Sequence, residues 1–371
     1  MSLKLPKENY IACLLGGAIG DALGAPIEFY SIRQIKERYG ALGVSGYIEF
    51  ANGYGEFTDD TQMTLFTAEG LLRSWHRSIL KGIGGATNDI VYDSYLRWLY
   101  TQDICMKDGL KNKGLLGVEN GWLIKQTGLY QQRAPGNTCL SALQSGIAGT
   151  TINPINNSKG CGGIMRVAPV GLVFEGQTEL SFTTGCDLAA ITHGHPSGYL
   201  SAGFFAALIS ELAVFVSLED AITHCIEILK QWNGNDETIA AVEKAMNLYD
   251  KTKSITQSQP EKIPELIETL GSGWIGEEAL SISLYCSLLY QNDFAKGVLA
   301  AVNHSGDSDS TGSITGNILG LIYGLDNIPE KWISNLKNHE IIITIGEDLH
   351  IGIKGDSINS DKDWWDKYPG F

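Results

Sequence analysis

Two short acidic segments near opposite ends of the chain carry the clearest chemistry. One is Phe57-Thr58-Asp59-Asp60-Thr61; the other is Ser305-Gly306-Asp307-Ser308-Asp309-Ser310-Thr311. Each gathers carboxylate and hydroxyl oxygens into a few positions and runs straight into a helical pattern. Mg²⁺, Mn²⁺ and Ca²⁺ prefer such all-oxygen shells, and four carboxylates from two segments would suit a pair of ions about 3.5–4 Å apart. The simpler alternative is that Asp59 and Asp309 cap two helices, because Asp, Ser and Thr are favoured there. One such segment alone would fit capping. Two with the same Thr/Ser-plus-Asp grammar, in a glycine-rich setting, favour metal.

Three further segments have the residue types for a site. Gly16-Gly17-Ala18-Ile19-Gly20-Asp21-Ala22-Leu23-Gly24-Ala25-Pro26-Ile27-Glu28 places Asp21 inside a helical pattern and Glu28 in a loop after Pro26. No strand precedes these glycines and no GxGxxG spacing is present, so a dinucleotide fingerprint fails. Asp21 reads as structural, while Glu28 is a candidate site carboxylate or an ordinary loop residue. Asn157-Ser158-Lys159-Gly160-Cys161-Gly162-Gly163-Ile164-Met165-Arg166 is a glycine-rich loop leading into an apolar helix. Such a loop can turn N–H groups toward phosphate, with Ser158 and Lys159 adding donors, or it can be a tight turn. It lacks the GK[ST] ending of a P-loop, which disfavours nucleotide-triphosphate hydrolysis. Cys161 has no evident activating partner and reads as a lining or packing residue. In Thr192-His193-Gly194-His195 the two histidines lack a third soft ligand for zinc. His193 is left to bind a ligand or to satisfy buried backbone.

These residues must be positioned by helices. Apolar positions recur with period 3.6 over about Thr61–Arg77, Asp89–Gln102, Pro196–Phe215, Leu218–Asn233, Asp236–Tyr249, Glu277–Gln291, Asp293–Asn303 and Asp309–Tyr323, and in a first helix holding Ile11, Leu15, Ile19 and Ala22. The β-branched run Ile341–Ile345 within Glu340–Ile353 fits a helix or a strand, and Val44–Phe50 is the best strand candidate. No repeat or linker divides the 371 residues, which favours one large all-α domain over 1–371. The 44 glycines are many for a helical protein. Gly16, Gly20, Gly24, Gly312, Gly316 and Gly320 each weaken a helix by about 1 kcal/mol relative to alanine, so close approach of helix backbones is the expected compensation.

Composition narrows the function classes. A net charge of −15 argues against binding nucleic-acid phosphates over a broad face. Seven scattered cysteines without a CxxC pair indicate neither a zinc cluster nor a disulfide framework. The most apolar stretch, Tyr199–Val216, is broken by Glu211 and serines and falls short of a membrane span. A reduced, cytoplasmic protein without membrane attachment is the expectation.

Taken together, GGAIGDALGAPIEF, FTDDTQMTL, GCGGIMRVAPVGL, THGHPSGY and HSGDSDSTG resemble, in order, the ADP-ribosylglycohydrolase family. They span Gly16 to Gly312, and the paired TDDT and GDSDST motifs are specific. The resemblance implies an all-α fold with two divalent cations, Mg²⁺ or Mn²⁺, in a cleft. It maps metal ligands onto Thr58, Asp59, Asp60, Asp307, Asp309 and Ser310, with Thr311 as the alternative to Ser310. It implies catalytic roles for Asp59 and Asp60, with Glu28 as runner-up, and an ADP-ribose diphosphate held by Ser158, Lys159, Gly160, Cys161, Gly162 and Gly163. His193 matches a histidine that lines the pocket. Cys161 departs from an asparagine common in animal members, which puts that side-chain contact in doubt. The implied reaction is hydrolysis of ADP-ribosylated protein side chains to release ADP-ribose, and a monomer is the expectation. GDSDSTG brings the pattern nearest to the arginine-directed branch; serine-linked or O-acetyl-ADP-ribose substrates, and a silent ADP-ribose-binding module, are the alternatives. The tail Asp361–Phe371 is expected either as an acidic aromatic wall for a guanidinium or as a docked terminus.

Overall fold

The computed structural model describes residues 5–48, 53–102, 120–256, 259–354 and 362–370. Among them are 17 α-helices, short 3₁₀ turns and two isolated β-bridges, with no β-strand. The first third holds α1 (Lys7–Gly24), α2 (Ile32–Tyr39), α3 (Asp59–Lys81) and α4 (Thr87–Gln102). Next come α5 (Asn137–Gln144), α6 (Ala168–Val173), α7 (Thr178–Ala190), α8 (Pro196–Leu212), α9 (Leu218–Leu229) and α10 (Asp236–Thr256). The remainder is α11 (Ile263–Glu268), α12 (Gly276–Leu289), α13 (Phe294–Val302), α14 (Ser308–Tyr323), α15 (Glu330–Ser334), α16 (His339–Lys354) and α17 (Lys362–Lys367).

The centre of the fold is the crossing of α1 and α14, buried along almost their whole lengths. Their glycines face one another backbone to backbone. A Cβ on Gly16 would fall 2.2 Å from Gly316 O, one on Gly20 2.0 Å from Gly312 O, and one on Gly24 2.3 Å from Ser308 O. The expected compensation for helix glycine is therefore real: contact between backbones replaces the stability the glycines give up. At one end this ladder meets Ser308 and Asp309, so it sets how far the second acidic segment stands from Glu28. Asn317 adds a polar lock, its Nδ2 donating to Cys13 O at 2.7 Å.

Two ambiguous segments are settled. Ile341, Ile342, Ile345 and Leu349 turn inward at helical spacing, so the β-branched run is the first half of α16. Residues 44–48 form no strand, and 49–50 lie outside the described residues. The periodicity also left out α2, α5, α7 and the short α11, α15 and α17; α7 packs on α8 where Gly185 and Gly203 allow close approach. The tail is a docked terminus rather than a wall. His76 Nδ1 lies 2.7 Å from Tyr368 O, Trp365 packs edge-on against His76, and Trp122 N donates to Lys367 O. His76 is about 24 Å along α3 from Asp60, so these rings stand far from the acidic segments.

Candidate metal centre

The first acidic segment opens α3 and the second opens α14. Thr58 caps α3, its Oγ1 accepting from Asp60 N, and Asp307 caps α14 by accepting from Ser310 N. Capping thus falls to the neighbours, and Asp59, Asp60 and Asp309 occupy the first turns, where helix N-termini favour negative charge. Asp21, in the last turn of α1, fixes the first segment. Its carboxylate accepts from Thr58 N at 2.8 Å, Thr61 N at 3.1 Å and Thr61 Oγ1 at 2.6 Å. The structural reading of Asp21 holds, and an acid within an apolar helix pattern was the signal for it. Gly306, at φ 128°, lets the second segment enter its helix while Asp307 N donates to Ser272 O at 2.8 Å.

The two segments converge. Glu28, Asp307 and Asp309 present oxygens that all lie within 4.8 Å of one another. The charge of Asp309 bears directly on the first segment, pushing up the carboxyls of Asp59 and Asp60. Thr311 turns its hydroxyl to Ala301 O and His304 Nε2, so of the two candidate hydroxyls Ser310 is the one beside Cys161. Cys161 lies closer to the centre than its sequence context indicated, its thiol donating to Asp307 Oδ2 at 2.7 Å.

Burial first, and then the charge of Asp309, push the carboxyls of Asp21 and Glu28 up, to about 7 and about 9. Burial likewise raises Asp59, Asp60, Asp307 and Asp309, with Asp309 adding repulsion on the other three. Among the described residues none of these six carboxyls pairs with Lys, Arg or His. Asp60 Oδ1 is buried without any hydrogen-bond partner. A crowd of buried carboxylates with an orphaned oxygen is unstable as a purely protein arrangement. Hard divalent cations are the partner that this donor set fits.

The glycine-rich loop flanks the centre but uses several of its polar groups internally. Cys161 N donates to Trp274 O and Gly276 N to Lys159 O, pairing the loop with the segment before α12. Lys159 Nζ is held by Glu237 at 2.8 Å and Glu277 at 2.7 Å, and Ser158 Oγ accepts from Gly160 N at 3.3 Å. A Cβ on Gly162 would strike Cys139 Sγ at 2.9 Å and His193 Cε1 at 3.0 Å, so that glycine serves packing toward the interior. Gly163 is packed against Ala189 and the Gly198 carbonyl. Gly160 is less crowded, with His193 Nε2 at 3.5 Å from its would-be Cβ.

His193 lies under this loop, almost wholly buried. Burial and the nearby Arg166 push its pKa down to about 3, which makes the ring neutral. Arg166 Nη2 donates to Thr192 Oγ1 at 2.7 Å, and Thr192 Oγ1 lies 2.8 Å from His193 Nδ1. A guanidinium can only donate, so the Thr192 hydroxyl hydrogen is free to go to Nδ1, leaving the ring proton on Nε2. His193 is thereby set as a donor toward the loop. Sequence reasoning missed Arg166, although an arginine heading an apolar helix was a visible sign of a buried role.

The profile of the ADP-ribosylglycohydrolase family matches residues 3–358. The chain is 25% identical to ADP-ribosyl-[dinitrogen reductase] glycohydrolase of Rhodospirillum rubrum, covering 89% of this chain and 90% of that one. It is 24% identical to ADP-ribosylarginine hydrolase Tri1 of Serratia proteamaculans, covering 91% and 77%. A solved structure described as an ADP-ribosylglycohydrolase-related protein complex superposes with a TM-score of 0.59 at 22% identity, over 94% of this chain and 98% of that one, and speaks to the fold. With an all-α fold and two acidic helix starts meeting at one centre, the chain belongs to the ADP-ribosylglycohydrolase family.

Proposed function

We propose that this protein is a metal-dependent hydrolase that removes ADP-ribose from modified arginine side chains of proteins. The observation that carries the hydrolase reading is the convergence of Glu28, Asp307 and Asp309, the last two of which also act by their charge on Asp60, with its buried, partnerless Oδ1. Thr58, Asp59, Asp60, Asp307, Asp309 and Ser310 would hold two Mg²⁺ or Mn²⁺ ions. When bound, such ions supply Lewis acidity to sugar hydroxyls and an acidified water. Family membership supports the ADP-ribosyl hydrolase class. Near-full-length likeness to a protein named for arginine-linked substrates supports the finer choice, as does the GDSDSTG form of the second segment.

Cleavage of the ribose anomeric bond passes through an oxocarbenium-like state, which nearby carboxylates stabilise. Asp59 and Asp60 are the proposed principal carboxylates for that charge and for moving the proton between water and leaving group. Glu28, half-buried, is the second candidate for the proton. His193, with its proton on Nε2, and the Ser158–Gly163 loop would bind the ADP-ribose, in a role narrowed by the internal bonds of Lys159 and of Cys161 N. The six described cysteines outside residues 103–119 are all free thiols, which supports a reducing, cytoplasmic setting.

The test is to incubate the protein with arginine- and serine-ADP-ribosylated substrates, with and without Mg²⁺ or Mn²⁺, and to measure released ADP-ribose. Faster release from arginine that disappears with chelator is the expected result. A preference for serine, or release without metal, would refute the corresponding part.

A further inference from the structure

Two exposed aromatic rings near the acidic centre take no part in the chemistry described so far. Phe29 is 75% exposed and Trp274 is 40% exposed, yet they stack on one another with centroids 5.6 Å apart and planes 21° apart. Phe29 directly follows Glu28, in the turn after α1. Trp274 lies between α11 and α12. Each is tied to the reacting centre through its own strand of chain. Glu28 belongs to the group of oxygens shared with Asp307 and Asp309. Trp274 O accepts from Cys161 N at 3.1 Å, and the Cys161 thiol donates to Asp307. The stack therefore links the turn that carries Glu28 to the segment that holds Cys161 against Asp307.

We propose that the Phe29–Trp274 stack is the subsite for the planar guanidinium of the arginine to which ADP-ribose is attached. This rests on the arginine reading given under Proposed function and names the residues that would select it. The modified side chain belongs to a folded protein, so it must reach the anomeric carbon from the solvent side, where these rings stand. A planar delocalised cation is attracted to aromatic faces and to nearby carboxylates together. Both are at hand: the rings, and beginning at Glu28, next to Phe29 in the chain, a carboxylate cluster in a chain of net charge −15. Among the described residues no Lys or Arg of the protein itself lies over either ring. A serine-linked substrate presents a hydroxyl at this point and would draw on neither feature.

The experiment uses the full chain with Mg²⁺ and three variants: Phe29→Ala, Trp274→Ala and Trp274→Phe. With an ADP-ribosylated arginine peptide, each alanine variant should raise KM about fivefold to tenfold while kcat stays within about twofold, and Trp274→Phe should restore most of the loss. Calorimetric affinity for ADP-ribose should stay within about twofold in all three. Agmatine, a free guanidinium compound, should quench the fluorescence component present in wild type and missing from Trp274→Phe. Quenching by agmatine without cleavage of the arginine linkage would support the subsite while refuting the proposed reaction. Normal cleavage with unchanged KM in both alanine variants would overturn the subsite and leave the reaction standing. A parallel loss of ADP-ribose affinity would also overturn it, because the rings would then be holding the adenine.

Discussion

Asp309→Asn should stabilise the metal-free protein at alkaline pH and at the same time abolish turnover. Asp309 is the charge that most raises Glu28, Asp21, Asp60 and Asp307 after burial itself. Like charges 4.8 Å apart repel by about 3.5 kcal/mol in an effective dielectric of about 20. The amide keeps Oδ1, which accepts from Ser310 N at 3.0 Å, so the start of α14 is preserved. The sign of the pH dependence follows from raised folded-state values: Glu28 at about 9 and Asp21 at about 7. Stability from such groups is complete below the ordinary carboxylate range and is lost as pH climbs through the folded values. Metal-free wild type should accordingly weaken between about pH 4 and pH 9. The variant should be about 2–4 kcal/mol more stable at pH 8, a rise in Tm of about 3–5 °C, and no more stable at pH 4. Adding Mg²⁺ should raise the Tm of wild type much more than that of the variant. Thermal denaturation across pH, with chelator and with Mg²⁺, gives all four values. A variant no more stable than wild type at pH 8, or one that keeps the full Mg²⁺ response, would refute the account of a repulsive centre built for cations.

Three other expectations follow from particular contacts. Gly162→Ala should lower stability by about 1–3 kcal/mol because its Cβ meets Cys139 and His193, whereas Gly160→Ala should leave Tm unchanged; calorimetry on the latter then reads the effect of a side chain on ADP-ribose binding alone. Thr192→Val removes the hydroxyl between Arg166 and His193; it should cost about 1–3 kcal/mol and shift the His193 proton away from Nε2, visible in ring ¹⁵N shifts. Truncation after Asn359 removes Tyr368, fully buried and bonded to Asp348; it should cost about 3 kcal/mol or more while leaving the arginine-over-serine preference intact, since the tail docks at the far end of α3.

The sequence by itself determined the inventory. Apolar positions at period 3.6 announced most of the helices, because a helix face is written in residues a few places apart. The doubled Thr/Ser-plus-Asp segments pointed to a centre that divalent cations would fit, and the glycine runs in two helix patterns pointed to close backbone approach without saying which helices would meet. Partnership was decided only by tertiary structure. Whether Lys159 faces a ligand or a pair of glutamates depends on where α10 and α12 bring Glu237 and Glu277. Whether Trp364 and Trp365 wall a cleft or dock a terminus depends on which end of α3 they meet. Gly162 and Gly160 are neighbours in one motif, but one is crowded by Cys139 and His193 and the other is not. Phe29 and Trp274 carried no signal at all until the fold placed them face to face. The physical reason is common to these cases. Secondary structure and ligand type are set by residues within one or two turns, whereas burial, hydrogen-bond partners and local charge are sums over chain segments that only packing brings together.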